Sequence, residues 1–257
     1  MLCQDIINIL EKQSPTEYAL SWDNVGLLVG RRDKDVKKIM LAVDATLDVC
    51  EKAVSDKVDM IITHHPMIFS GVKRINTDTA IGKKIILLAK NDISCYAMHT
   101  NFDTIGGMAK LASNMLGLKE LEVLEETMEG EGIGQIGCVE CPVSLQELAE
   151  NVKKQFGLKN VTVYGDTSKI IDRVAVCPGS GKSVIDISIK KNAECLITGD
   201  IGHHDGIDAV DEGLVIIDAS HYGVEKIFMN YMRDYLSSIC DGVEIQTADV
   251  GVPFVVV

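Results

Sequence analysis

Two short runs rich in β-branched residues, at 58–63 and 214–219, each end within two residues of a histidine, His64 after the first and His221 after the second. Continuous apolar runs of this length read as strands buried on both faces of a largely parallel sheet. In open α/β sheets, ligand sites form just beyond the carboxyl ends of such strands. The chain is thereby constrained to an α/β class that delivers histidines to the functional edge of a sheet.

Those histidines belong to three compact clusters: Thr63, His64, His65 and Pro66; His99 with Asp103; and His221 with Glu225. Imidazoles and carboxylates with no cysteine nearby form a donor set suited to Zn²⁺, Mn²⁺, Fe²⁺ or Ni²⁺, and there are enough of them for two ions. Successive side chains of an extended segment point to opposite sides, so His64 and His65 are better placed to serve two ions than to converge on one. From Tyr222 onward the apolar spacing is helical, which predicts Glu225 one turn beyond His221 on the same face. A carboxylate there can bridge two ions about 3.5–4 Å apart. A lone His-His or His-x3-Glu pair is commonly a structural accident. Three clusters, each after a strand-like run, point instead to a dinuclear metal centre.

The apolar periodicities predict helix 3–13, strand 38–43, helix 47–56, strand 58–63, helix 78–90, strand 93–98 and helix 106–117. They continue with strand 132–140, helix 144–156, strands 160–164 and 171–177, helix 181–191, strand 194–198, helix 203–211, strand 214–218, helix 221–238 and strand 243–248. The halves resemble each other. At an offset of 135, residues 38–42 fall on 173–177 and 59–63 on 194–198; at 122, His99 and Asp103 fall on His221 and Glu225. We therefore expect two similar three-layer α/β domains related by an internal duplication, each with a largely parallel sheet, and a dinuclear site in the cleft between them. The acidic stretch 119–131 reads as a solvated connection, which puts the domains at 1–125 and 126–257, with the C-terminal helix free to pack against the first.

At 257 residues and 46% hydrophobic content the chain can bury a substantial core, and no apolar run approaches the length of a membrane span. The first residues form an amphipathic pattern without a basic stretch or small-residue cleavage site, so a cytoplasmic protein is expected. Most of the eight cysteines, such as Cys95 and Cys195, lie in apolar runs and read as reduced core residues. Cys138 and Cys141 have ligand spacing, but no second pair accompanies them and they read as incidental. A net charge of −13 repels phosphate backbones, so nucleic acid is not an expected partner.

Pro178, Gly179, Ser180, Gly181, Lys182 and Ser183 imitate the end of a phosphate-binding loop, but Val176 stands where the pattern requires glycine. A tight strand-to-helix turn is the simpler reading. His203 and His204 follow another apolar strand and are assigned, with His99, to the wall of the pocket; His99 and His203 are the candidates for proton transfer.

At these residues the chain resembles the family of GTP cyclohydrolase 1 type 2 homologues, the Ngg-interacting-factor-like proteins. The resemblance runs through Trp22 to Gly30 (Trp-Asp-Asn-Val-Gly-Leu-Leu-Val-Gly), Thr63-His64-His65-Pro66, His99 to Asp103, Thr198-Gly199-Asp200 with His203 and His204, and Asp218 to Glu225. It covers nearly the whole chain, in the short form without the mid-chain insertion of longer members. It implies two similar α/β domains, a ring-shaped homohexamer, and two ions per chain. By the same resemblance His64, Asp103 and Glu225 hold one ion, while His65, His221 and a bridging Glu225 hold the other. Two positions depart from the family pattern: Ser220 stands where glycine is usual, and Gly251, Val252, Pro253 and Phe254 replace the usual Asn-Pro-Phe. The expected activity is metal-dependent hydrolysis of a nucleotide or related phosphoester, the cyclohydrolase reaction being suggested by the family name alone. The competing expectation is a non-enzymatic metal-holding ring that serves as scaffold, chaperone or partner-binding protein.

Overall fold

The structure is a computed structural model and describes residues 1–105 and 107–248, so the departure at 251–254 lies outside the described residues. In chain order the helices and strands run α1 (Cys3–Gln13), β1 (Gly26–Val29), β2 (Lys38–Ala42), α2 (Leu47–Ser55), β3 (Met60–Thr63), α3 (Ala80–Lys90), β4 (Ser94–Ala97) and α4 (Thr100–Thr104). They continue with α5 (Met108–Leu116), β5 (Lys119–Met128), β6 (Glu131–Ser144), α6 (Leu145–Phe156), β7 (Thr162–Tyr164) and β8 (Ile170–Ser180). The last are α7 (Ile185–Lys190), β9 (Cys195–Gly199), α8 (His203–Asp211), β10 (Val215–Asp218), α9 (His221–Glu225), α10 (Ile227–Ser237) and β11 (Glu244–Thr247). The chain divides into two compact units: Met1–Phe102 joined by the segment from Phe228 onward, and Asp103–Ile227. The C-terminal helix α10 thus belongs almost wholly to the first unit.

In the first unit the sheet order is β1-β4-β3-β2-β11, parallel throughout except for β1. β2, β3 and β4 are covered on both faces, which is why they carry Ile39, Leu41, Ile61, Ile62 and Cys95 at zero exposure. β1, built from Gly26 to Val29, was not expected from the sequence; one buried glycine and three half-buried residues carry too little periodicity to announce a strand.

In the second unit the order is β5-β6-β8-β9-β10-β7. This sheet is mixed rather than largely parallel: only the β8–β9 and β9–β10 pairs are parallel. The acidic stretch supplies much of the difference. Instead of a solvated connection it is the edge strand β5, paired antiparallel with β6, with Leu124 turned inward at zero exposure and its glutamates at or near the surface. Charged side chains on an edge strand discourage further strand addition, so acidity and strand structure are compatible. Helix 181–191 is shortened to α7, and helix 221–238 is broken at Lys226 into α9 and α10.

The duplication extends to register and hydrogen bonds. β1 is an antiparallel edge beside β4, followed by β3 and β2; β7 is likewise an antiparallel edge beside β10, followed by β9 and β8. Ile39 pairs with Met60, and Val174 pairs with Cys195, each displaced by the same 135 positions. The Asp59 carboxylate accepts from the N–H groups of Lys37 and Lys38 at 2.8 and 3.0 Å. Glu194, 135 residues on, accepts from Asp172 and Arg173 at 2.6 and 3.1 Å.

Candidate metal centre

In the first unit β3 runs out at Thr63, whose hydroxyl donates to the His65 carbonyl at 2.7 Å and so folds the chain back at the strand end. That turn turns two adjacent histidines toward one region. His64 is fully buried with its ring 5.4 Å from Phe228, and His65 is part-exposed. His99 arrives from the end of β4. One donor atom each from His64, His65 and His99 lie within 4.8 Å of one another, a group able to hold a metal ion.

The imidazoles share one orientation. The Nδ1–H of His64 donates to the Met98 carbonyl at 2.8 Å, that of His65 to Asp44 at 2.9 Å, that of His99 to Asp23 at 2.9 Å and that of His221 to Asp200 at 2.8 Å. Carbonyls and carboxylates only accept, so each contact places a proton on Nδ1, and in the neutral ring Nε2 then carries the lone pair. Metal-binding histidines are commonly held this way, with a carboxylate or carbonyl fixing the tautomer and raising the basicity of the ligating nitrogen. Burial would raise the Asp23 carboxyl, but hydrogen bonds from His99 and Thr100 outweigh it and hold it down at about 2.

In the second unit α9 carries the helical pair expected from its spacing: His221 Nε2 lies 3.3 Å from Glu225 Oε2. Two lone-pair atoms at that separation repel unless a proton or a cation lies between them. The spacing matches a shared metal, since two ligands at about 2.0–2.1 Å in tetrahedral geometry stand about 3.3 Å apart. Glu225 is nearly fully buried, a setting in which a carboxylate is retained only with compensating charge or hydrogen bonds. Burial, and after it the charges of Asp103, half-buried on α4, and of Glu225, push the Cys177 thiol up to about 12.

The backbone gives way around this pair. Gly179 has φ +80, and a Cβ there would stand 2.7 Å from Glu225 Oε1. A Cβ on Gly199 would collide with the His221 backbone. Gly181 likewise presses on the Thr198 side chain, so in the phosphate-loop imitation Gly179 makes room for Glu225 and Gly181 for the neighbouring strand. Ser220 sits at φ +60 and ψ 150, where L-residues are strained, and its hydroxyl caps α9 by accepting from Gly223 N–H at 3.1 Å. Glycine would adopt that conformation without strain.

Of the sequence-nominated residues, the first unit gathers His64, His65 and His99, and the second brings His221 onto Glu225. His203 and His204 stand exposed at the start of α8, their rings 5.2 Å apart, and belong to no donor group among the described residues. Cys138 and Cys141 are free thiols on β6, the second exposed. Sequence reasoning missed the orienting acids Asp23 and Asp44. Asp44 was detectable as a carboxylate two residues past β2, beside the strand that delivers His65. No local pattern marks Asp23 as the partner of a residue 76 positions away.

The sequence profile of the Duf34/NIF3 (NGG1p interacting factor 3) family matches residues 1–251. A protein of Clostridium acetobutylicum named GTP cyclohydrolase 1 type 2 homolog is 37% identical over 226 residues, covering 86% of this chain and 84% of its own. Among solved structures, a Bacillus cereus protein related to NIF3 superposes with a TM-score of 0.93 at 25% identity, over 100% of this chain and 99% of the other. Reduced HcgD from Methanocaldococcus jannaschii gives a TM-score of 0.86 at 33% identity, over 97% and 98% of the two chains. No described helix is long and apolar enough to cross a membrane.

Proposed function

The chain belongs to the Duf34/NIF3 family, and from that premise we propose that it is a metal-dependent hydrolase of a nucleotide or related phosphoester, with two divalent ions per chain. In this proposal His64, Asp103 and Glu225 would hold one ion, and His65, His221 and Glu225 the other. The observation that carries the reading is the 3.3 Å approach of His221 Nε2 to the buried Glu225 carboxylate, supported by the uniform Nδ1–H anchoring of four imidazoles. The cyclohydrolase name of the relatives directs the choice of substrate toward purine nucleotides. The ring-shaped homohexamer implied by the resemblance is part of the proposal.

Ions bound to these residues supply Lewis-acid polarisation of a substrate oxygen and acidify water near neutral pH. The chain supplies the rest. Asp44 and Asp200 fix the rings of His65 and His221, so the donor atoms do not reorganise during reaction. Asp23 holds His99 by Nδ1, which leaves His99 Nε2 to accept a proton and return it to the leaving group.

Assay of the Mn²⁺-, Zn²⁺-, Fe²⁺- and Ni²⁺-loaded protein against nucleotides and phosphoesters tests this. Turnover is expected for at least one nucleotide, with His99→Ala lowering kcat by about 10²–10⁴-fold. Full metal loading with no turnover across the panel would overturn the hydrolase and favour a metal-holding scaffold.

A further inference from the structure

Two large aromatic side chains of the first unit stand exposed immediately beside the histidine group. Trp22 is 54% and Phe69 55% exposed, their ring centroids 5.7 Å apart. Both reach His99: Trp22 edge-on at 5.9 Å and Phe69 at 6.4 Å, while His99 lies 5.2 Å from His64 and 5.4 Å from His65. The rings form an unbroken series from solvent to the candidate ligands. The placement is fixed from beneath, because Asp23, next to Trp22, is bonded to His99 and Thr100, and Asn24 donates to the Ile68 carbonyl at 2.5 Å beside Phe69.

Two cavities adjoin this series. One of about 720 Å³ is lined by Phe69, Lys73 and Arg74; the other, about 330 Å³, is lined by His65, Asp44 and Lys84, and Met67 lines both. Lys73 and Arg74 line the first and Lys84, whose ammonium also donates to the Ala45 carbonyl at 2.8 Å, lines the second, on a chain of net charge −13. Exposed aromatic faces stack on planar bases with little regard to sequence or substituent, and lysine and arginine beside them take an anionic group.

We propose that Trp22 and Phe69 form a stacking subsite for a planar heteroaromatic ring, with Lys73, Arg74 and Lys84 receiving the anionic group attached to it. The subsite rests on the hydrolase reading for its place in a reaction, and it assigns the side chains that would seat the ring of such a substrate. A ring on Trp22 and Phe69 lies one side chain away from His64 and His65.

Trp22 is the single tryptophan of the chain, so its emission reports the subsite directly. Guanosine, GTP and inorganic triphosphate are titrated into the metal-loaded full chain at equilibrium. Guanosine and GTP are expected to quench the emission saturably and inorganic triphosphate to leave it unchanged. Phe69→Ala is expected to weaken guanosine binding about tenfold, and Trp22→Ala to do the same by calorimetry, each with unchanged circular dichroism. The proposal is overturned if no nucleoside or nucleotide changes the emission, or if both variants bind guanosine as the wild type does. It is equally overturned if the emission follows protein concentration instead of nucleoside, since the rings are then covered by a second copy. Quenching without turnover retains the subsite and removes the hydrolase; turnover with KM unchanged in both variants does the reverse.

Discussion

Lys34 and Lys169 do the same work in the two units. The Lys34 ammonium donates to the carbonyls of Asp59 and Asp92, and the Lys169 ammonium to those of Glu194 and Gly213. Each lysine ties the start of one parallel strand to the turn that precedes the next. Lys34 is only 6% exposed, so replacing it by methionine leaves carbonyls without their donor in a buried setting. Lys34→Met is expected to lower unfolding free energy by about 1–3 kcal/mol, and Lys169→Met, at a more exposed site, by less. Urea denaturation of both variants checks the order.

Ser220 offers a change in the opposite direction. Its φ of +60 with ψ 150 lies in a region occupied almost solely by glycine, at a cost of about 1–3 kcal/mol, while loss of its cap to α9 costs only a few tenths when glycine replaces it. Ser220→Gly should therefore raise stability by about 1 kcal/mol and Tm by about 2–4 °C. Calorimetry of the metal-free protein measures it without interference from bound ions.

The Asp23 carboxyl is held at about 2, below its ordinary 3.8, by His99 and Thr100. A depressed folded-state value means stability that is fully present above the unfolded pKa and lost as pH falls through the folded one. The difference in unfolding free energy between wild type and Asp23→Asn should thus be constant above about pH 5, and shrink as pH falls toward about 2. Denaturation series at several pH values give the comparison; a gap that grows on acidification contradicts the assigned role.

The strands that carry the ligand candidates were legible because burial on both faces writes itself as continuous runs, as in Met60, Ile61 and Ile62 or Val215, Ile216 and Ile217. The clusters at their ends were legible for the same reason: strand ends fix where the next residues point. The register of the duplication was visible at Ile39 and Val174, whose partners Met60 and Cys195 keep the same offset. β5 was obscured because Glu120, Glu122, Glu125 and Glu126 hide an edge strand whose one fully buried side chain is Leu124. Asp23 and Phe69 were obscured because each acts through a neighbour distant in sequence, and no local period marks such a contact.

The proposed pair of ions depends on Glu225. Metal content per chain, measured on wild type and Glu225→Ala purified alike and checked by circular dichroism for an unchanged fold, tests it most directly. Two ions per chain in the wild type and less than one in the variant is the predicted result. Wild type free of metal after loading, or a variant that keeps both ions, would contradict it.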